Sequence, residues 1–228
     1  MIDAAARLVL RLRRSASALY RRRQEFKHWQ TMWSDEHFDA HWLHRPISAE
    51  IIAATGDGWF PSGATTVDVG CGEGKVTAWM ADHGFPSVGV DIAPAAISRA
   101  RARFHEIPGR LEFIAVNICA RSPPSRKYRV VIDRGCFHCI AQRDHPYYLR
   151  NLLRVCASDA KFLLFHRAYR NGIPMGDKQE RERVKAIVEH GLGNGFRIDR
   201  LADTYLDPFQ GQNPDRALGG IAFWLTRI

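Results

Sequence analysis

From residue 65 onward, short apolar runs alternate with stretches in which apolar residues recur every three or four positions. The apolar runs predict seven β-strands, and the stretches between them predict helices. The predicted strands are Thr65–Gly70, Ser87–Ile92, Leu111–Asn117, Arg129–Asp133, Lys161–His166, Phe196–Leu201 and Ile221–Ile228; the predicted helices are Lys75–His83, Pro94–His105, His145–Ala157 and Asp177–His190. This alternation predicts an α/β fold with a doubly wound, mostly parallel, seven-stranded sheet.

The first 60 residues do not show this alternation, and they predict a helical extension that precedes a domain spanning residues 61–228. Residues 1–30 contain eight basic and two acidic side chains, so this arm has a net charge of +6 out of +9 for the chain. Leucines recur among its arginines at roughly helical spacing. Three interpretations of the arm stay open: a solvated helix or tail, an amphipathic helix in weak contact with a membrane surface, and a cleaved transit peptide.

Composition narrows the class of protein. The 228 residues are 46% hydrophobic and 25% charged, which is typical of a globular protein with a sizeable core. No apolar run reaches the ~18 residues of a membrane span. The five scattered cysteines indicate reduced thiols and a cytoplasmic location. Because residues 31–228 carry a net charge of only +3, a nucleic-acid partner is disfavoured.

A glycine-rich loop, "VDVGCGEGKV" at residues 67–76, joins the first predicted strand to the first helix. A dinucleotide-binding loop would need glycine where Lys75 stands, and a phosphate-binding loop would need glycine at Val69 and a hydroxyl residue at Val76. The remaining pattern is D-x-G-x-G-x-G, formed by Asp68, Gly70, Gly72 and Gly74. It indicates a ligand that approaches bare backbone at the carboxyl end of a strand, with a glycine-rich turn that binds nothing as the alternative.

This loop resembles the first motif of the class I S-adenosylmethionine-dependent methyltransferases. The resemblance extends over residues 65–228 and implies their Rossmann-like methyltransferase fold, with S-adenosylmethionine as cofactor. The implied contacts of the cofactor in this loop are Asp68, Gly70, Cys71, Gly72 and Gly74.

The same resemblance implies an adenosine site on the next two strands. Asp91 ends the second predicted strand, where its carboxylate can accept both ribose hydroxyls, next to Ile92. The alternative for Asp91 is a helix N-cap ahead of Pro94. Asn117 ends the third predicted strand, where the family often has aspartate near the adenine amino group, and the backbone of Ile118 would face the ring.

Two further stretches resemble the thiopurine S-methyltransferase group and its thiol-methylating relatives. They are W-Q-x-x-W at Trp29, Gln30 and Trp33, and D-R-G at Asp133, Arg134 and Gly135. The resemblance implies that the tryptophan-bearing helix closes over the cofactor, and that the D-R-G segment binds it through an arginine–carboxylate pair. Aromatic packing along one helix face is the alternative for the tryptophans. The intact glycine loop departs from that group, whose own loop is degenerate, so thiopurine is not implied.

Candidate chemistry lies after the fourth and fifth strands. His138 and His166 both follow strand ends at the predicted ligand edge, so either could take a proton from an acceptor, with hydrogen-bonded packing as the alternative. Cys136 and Cys139 have C-x-x-C spacing, but no second pair of ligands is visible, and no metal site is predicted.

Together these patterns predict an enzyme that transfers a methyl group to a small-molecule acceptor by direct displacement, with sulfur slightly ahead of oxygen or nitrogen. A thiol already ionises in part at neutral pH and therefore needs little help from a base. The alternatives are an O- or N-methyltransferase of a natural product or metabolite, a nucleic-acid-associated methyltransferase anchored by the basic arm, and a regulator that only binds the cofactor.

Overall fold

The computed structural model describes residues 23–39, 43, 45–169, 173–206 and 218–228. Within these ranges the helices are α1 (residues 23–34), α2 (Ala49–Gly56), α3 (Lys75–Asp82), α4 (Pro94–Arg103), α5 (His145–Leu153) and α6 (Lys178–Leu192). The strands are β1 (Thr66–Val69), β2 (Ser87–Asp91), β3 (Leu111–Ala115), β4 (Tyr128–Asp133), β5 (Cys156–Arg167), β6 (Phe196–Tyr205) and β7 (Gly219–Arg227). The arginine-rich arm through residue 22 lies outside the described residues, so its three interpretations stay predictions.

The strands form one sheet in the order β3-β2-β1-β4-β5-β7-β6. β7 runs antiparallel to both of its neighbours, and the other pairs are parallel. The prediction of a seven-stranded, mostly parallel sheet is therefore confirmed. Its strand order reverses between β1 and β4, and at such a switch point the carboxyl ends of the strands leave a crevice for ligands.

Most predicted boundaries lie within a few residues of the observed ones, but the helix predicted for His145–Ala157 is too long. α5 ends at Leu153, and β5 begins at Cys156 rather than at Lys161. Cys156 is 1% exposed and pairs with Tyr128 of β4. The apolar residues of α5 are followed directly by those of β5, so the sequence shows no boundary between them. The boundary is set by the pairing of β5 with β4.

Alternate residues of β5 contact opposite layers of the molecule, as the two-residue period of a strand requires. Phe162 and Leu164 belong to the core beneath α5 and α6, whereas Leu163 and Phe165 belong to the core beneath α2 and α3. α2 buries Ile51 in this second core. Helices therefore cover both faces of the sheet, and the segment just before β1 packs against the sheet.

None of the helices in the described part of the chain is long and apolar enough to cross a lipid bilayer.

Candidate functional site

A cavity of about 580 Å³ opens at the carboxyl ends of β1, β2 and β4, where the strand order reverses. This volume lies within the ~300–1,000 Å³ that is usual for small-molecule sites. Most of the predicted site residues line it: Trp29, Trp33, Asp68, Gly70, Cys71, Gly72, Asp91, Ile92, Asn117, Ile118, Arg134 and His138. Gly74, Asp133 and His166 are predicted site residues that do not line it.

The three loop glycines all have positive φ angles, but they serve different purposes. A Cβ atom on Gly70 would lie 2.5 Å from the Cβ of Cys136, and one on Gly74 would collide with the ring of Phe113. Both positions are closed by protein packing. At Gly72, with φ of +55°, a Cβ would instead meet only the ring of Trp33, at 3.1–3.2 Å. Gly72 is therefore the loop position whose bare backbone faces the cavity and its aromatic cover.

Asp91 fastens the glycine loop to the start of α4. Its Oδ2 accepts a hydrogen bond from the Gly72 N–H at 3.0 Å, and its Oδ1 accepts one from the Ala93 N–H at 2.9 Å. Burial raises the pKa of this carboxyl, and the backbone N–H donors oppose that rise. The N-cap residue of α4 is Ala93, so Asp91 is not the N-cap itself.

Asp68 lies on the cavity floor with only 3% of its surface exposed. The hydroxyl of Thr77 donates to its Oδ2 at 2.6 Å. Burial, with smaller contributions from the nearby Asp133 and Asp91, raises the pKa of Asp68 to about 7. The cavity therefore contains a carboxyl group that changes charge near neutral pH.

Asn117 and Ile118, just after β3, are held by one local hydrogen bond and one from α5. The carboxamide oxygen of Asn117 accepts from the Cys119 N–H at 2.9 Å, and the Ile118 carbonyl accepts from Asn151 Nδ2 at 2.6 Å. These bonds fix the backbone that borders the cavity at this end.

Asp133, at the end of β4, holds the turn that follows this strand by hydrogen bonds from its buried side. Its carboxylate is fully buried and accepts from the N–H groups of Gly135, Cys136 and Phe137 and from the hydroxyl of Tyr148. Burial raises its pKa to about 6. The side chain is thus occupied in shaping the turn that carries Arg134 and His138, and it does not reach the cavity.

Two basic side chains connect the segment before α2 to the mouth of the cavity. Arg134 Nη1 donates to the Pro46 carbonyl at 3.0 Å, and Lys75 Nζ donates to the Arg45 carbonyl. Arg45, Lys75 and Arg134 also line the cavity. These two contacts therefore fix the residues before α2 over the glycine loop. Neither the glycine-loop motif nor the D-R-G motif predicts them.

The two candidate bases have different positions. His138 lines the cavity, and its Nδ1 is buried without a hydrogen-bond partner among the described residues. His166 lies behind it, 5.6 Å away between ring centroids, with Nδ1 at 2.8 Å from the Arg167 carbonyl. Burial lowers the pKa of His138 to about 3 and that of His166 to about 4, so both are neutral at pH 7.

Several lining residues have no counterpart in the sequence prediction. They include Leu43, Ile140, Leu206 and Leu218, which are apolar, and the charged residues Glu25, Arg45, Glu73 and Arg167. Arg167 is the last residue of β5, at the same edge of the sheet as Asp68 and Asp91, so its place at a strand end is a signal that could have identified it. The apolar residues come from distant segments and carry no such signal.

A family model described as a methyltransferase domain matches residues 66–159. An uncharacterized methyltransferase of Schizosaccharomyces pombe is 31% identical over 98 residues, which are 43% of this chain and 68% of that protein. The chain belongs to the class I S-adenosylmethionine-dependent methyltransferases. The predicted enzyme class and cofactor are thereby confirmed, whereas the thiopurine branch stays a prediction.

Solved structures share the fold at low sequence identity. One, from a study of the conversion of a disulfide bond into a thioacetal group during echinomycin biosynthesis, has a TM-score of 0.68 and 17% identity, over 89% of this chain and 92% of that one. Another is the 1,6-didemethyltoxoflavin-N1-methyltransferase of Burkholderia thailandensis with bound S-adenosylhomocysteine. It has a TM-score of 0.58 and 16% identity, over 100% of this chain and 92% of that one.

The residues of this methyltransferase fit its cofactor. Gly72 leaves space that a Cβ atom would fill, Asp91 presents a buried carboxylate at a strand end, and both border one cavity. No group of three or more His, Cys, Asp or Glu in the described ranges is arranged to hold a metal ion.

The affinity of this methyltransferase for S-adenosylmethionine is expected to rise between pH 6 and pH 8. At pH 6 Asp68 is mostly protonated and neutral, and at pH 8 it is mostly ionised, since its pKa is about 7. Binding of a cofactor that carries positive charge favours the ionised form and therefore releases a proton on the acidic side of this range.

Calorimetric titration in buffers of different ionisation enthalpy measures that proton release. Asp68→Asn, which cannot ionise, is the comparison, because it leaves the titration of the cofactor itself unchanged. Equal pH dependence of the affinity in the two proteins would show that Asp68 is not coupled to cofactor binding.

Proposed function

We propose that this methyltransferase acts on a small-molecule acceptor and that the accepting atom is a thiol sulfur. One cavity supports the small acceptor, because it extends from the glycine loop to the His138 turn and is partly apolar at Leu43, Ile140, Leu206 and Leu218. A donor and a small acceptor can share a space of this size.

The residues that would hold the cofactor are those of the glycine loop and the two strand ends beside it. We assign the ribose hydroxyls to Asp91, the adenine edge to Asn117 and the backbone of Ile118, and the methionine carboxylate to Arg134, as a charge-assisted pair. Trp29 and Trp33, in the predicted extension of residues 1–60, would cover this end of the cavity. Asp133 and His166 are assigned to shaping the site from behind.

When bound, S-adenosylmethionine supplies a methyl group on a sulfonium sulfur, which a nucleophile held in line displaces in one step. The residues around it then have two tasks. They must hold the acceptor in line, which can supply ~7–11 kcal/mol of the barrier reduction, and they must leave the acceptor atom with a free electron pair.

The weak basicity of His138 carries the proposal of sulfur. A phenolic hydroxyl, with a pKa of ~10, would have to give its proton to an imidazole whose pKa is about 3, a gap of roughly 7 units or ~10 kcal/mol. A thiol, with a pKa of ~8.5, is already ionised in part in bulk water near neutral pH and can bind as the thiolate instead. Arg45 and Arg167 line the same cavity, as do Glu25 and Glu73, so the thiolate is favoured where the acceptor lies beside one of the arginines.

The fold alone does not select the acceptor atom. Of the two structural neighbours named above, one comes from a study of sulfur chemistry and the other is named for a nitrogen acceptor. We therefore base the choice of sulfur on the lowered pKa of His138 in this cavity.

We also propose a cytoplasmic location. All five cysteines are free thiols, including the exposed Cys139 at the cavity, which is the state that a reducing compartment maintains.

Transfer of labelled methyl groups to a panel of thiols, phenols and amines of matched size tests the acceptor. We expect transfer to thiols, with a rate that rises with pH until the thiol is ionised. In that case His138→Gln should lower kcat by less than ~10-fold at pH 8, because His138 contributes little as a base.

The control variant is His190→Gln, since His190 is exposed on α6 and does not line the cavity. Transfer restricted to phenols or amines, with a loss of roughly 100-fold or more in His138→Gln, would contradict a sulfur acceptor. That outcome would favour O- or N-methylation and assign the proton transfer to His138.

A further inference from the structure

Helix α4 begins without a capping side chain of its own. Its first residue is Pro94, and its N-cap residue is Ala93, whose side chain makes no capping bond. The first N–H groups of a helix need partners from outside the helix. The N–H of Ala95 donates to Oε1 of Gln30, at 3.1 Å, so a residue of α1 that is 65 positions earlier supplies the cap.

One turn further along α4, Arg99 makes a contact in the opposite direction, from α4 to the end of α1. Its guanidinium donates to the carbonyls of Asp35 and Phe38, in the turn that directly follows α1. It also lies over the ring of Trp33, 5.7 Å from the centroid, and over that of Phe38, at 5.9 Å. Guanidinium groups in this position attract aromatic faces. Each of the two helices thus receives a terminal contact from a side chain of the other.

Trp33 lies between these two contacts. It is 5% exposed and packs against Ala93 and Ala96, whose small side chains let the indole come close to α4. The same ring lies next to Gly72 of the glycine loop. The position of Trp33 over the loop is therefore set by how α1 is fastened to α4.

We propose that Gln30 and Arg99 are positioning residues that fasten α1 to α4 and so hold Trp33 over the cofactor. This inference rests on the proposed placement of the cofactor beside Gly72. Neither side chain lines the cavity, so both act through Trp33 rather than by contact with the cofactor. Loss of either should weaken cofactor binding and loosen α1, while the methyl-transfer step itself changes less.

Full-length Arg99→Gln and Gln30→Ala test this inference, each against a matched control. The control for Arg99→Gln is Arg101→Gln, on the same helix, because Arg101 bonds Glu106 and the Phe113 carbonyl instead of α1. The control for Gln30→Ala is Gln24→Ala, an exposed glutamine of α1. Arg99→Lys keeps the charge but loses the planar fork, and it should give an intermediate result.

Two measurements are made on each variant. Calorimetric titration with S-adenosylhomocysteine should show a dissociation constant raised roughly 10-fold in Arg99→Gln and in Gln30→Ala, and unchanged in the controls. Mass spectrometry of a timed trypsin digest should show faster cleavage after Lys27, within α1, in the same two variants without any ligand. In steady state, the KM for S-adenosylmethionine should rise more than kcat falls.

Cleavage after Lys27 at the rate of the controls would overturn the inference, because α1 would then be held without these residues. Trp33→Ala separates this failure from that of the proposed site. Weaker binding in Trp33→Ala, with unchanged binding in Arg99→Gln, would overturn the fastening alone. Unchanged binding in both would overturn the placement of the cofactor under Trp33, and the inference with it.

Discussion

Asp91→Ala is expected to weaken the binding of S-adenosylmethionine by about 2–4 kcal/mol, or roughly 30- to 1,000-fold in Kd. The substitution removes the carboxylate assigned to the two ribose hydroxyls. It also removes the acceptor for the Gly72 and Ala93 N–H groups, so the glycine loop loses its connection to the start of α4. Calorimetric titration of the variant and the parent protein gives the change in Kd directly.

Asp82→Ala is a suitable control, since Asp82 is an exposed carboxylate at the end of α3. Asp91→Asn adds a second comparison, because it keeps one acceptor oxygen without the charge. Thermal melting of each variant establishes that the sheet is intact. An unchanged Kd in Asp91→Ala would remove Asp91 from the cofactor site.

Gly72→Val is expected to abolish measurable cofactor binding while the sheet remains folded. Its φ angle of +55° is unfavourable for a side chain, and the first added atom would already lie 3.1–3.2 Å from the Trp33 ring. The two further methyl groups of valine would then intrude on the space between the loop and Trp33. Calorimetry at ligand concentrations well above the parent Kd would show no saturation.

Gly84→Val separates the backbone effect from the steric one. Gly84 also has a positive φ, +86°, but a Cβ atom there would meet nothing within 4 Å. Both variants therefore have a similar conformational cost, roughly 1–2 kcal/mol, and Gly72→Val has the contact with Trp33 in addition. If Gly72→Val bound the cofactor as well as Gly84→Val does, the bare backbone at Gly72 would not be part of the site.

Much of the site could be predicted because its residues are set by local chain geometry. A strand that leads into a glycine-rich turn and then a helix places Asp68, Gly70 and Gly72 at the carboxyl edge of a parallel sheet. Asp91 is placed at the same edge by the end of the next strand. Spacing along the chain is sufficient to predict these site residues, because neighbouring parallel strands bring their carboxyl ends together.

Other assignments could not be made from spacing. Asp133 and Arg134 are adjacent in the sequence, yet only Arg134 lines the cavity, since Asp133 is turned inward to Tyr148 and three backbone N–H groups. His138 and His166 look alike as candidate bases, but only His138 is a lining residue. The direction of a side chain at a turn depends on what packs against it from elsewhere in the chain.

The amino-acid sequence by itself determined the fold class and the strand ends where a ligand would lie, because these follow from periodicity and from residue types at fixed spacing. The cofactor followed from the resemblance of the glycine loop to a known family. The tertiary structure alone decided that Gln30 and Arg99 join α1 to α4, and that His138 is a weak base at neutral pH. The connection between α1 and α4 depends on residues more than 60 positions apart. The low pKa of His138 depends on its burial by residues from several elements. The local pattern of a sequence predicts neither the approach of distant segments nor the desolvation that this approach causes.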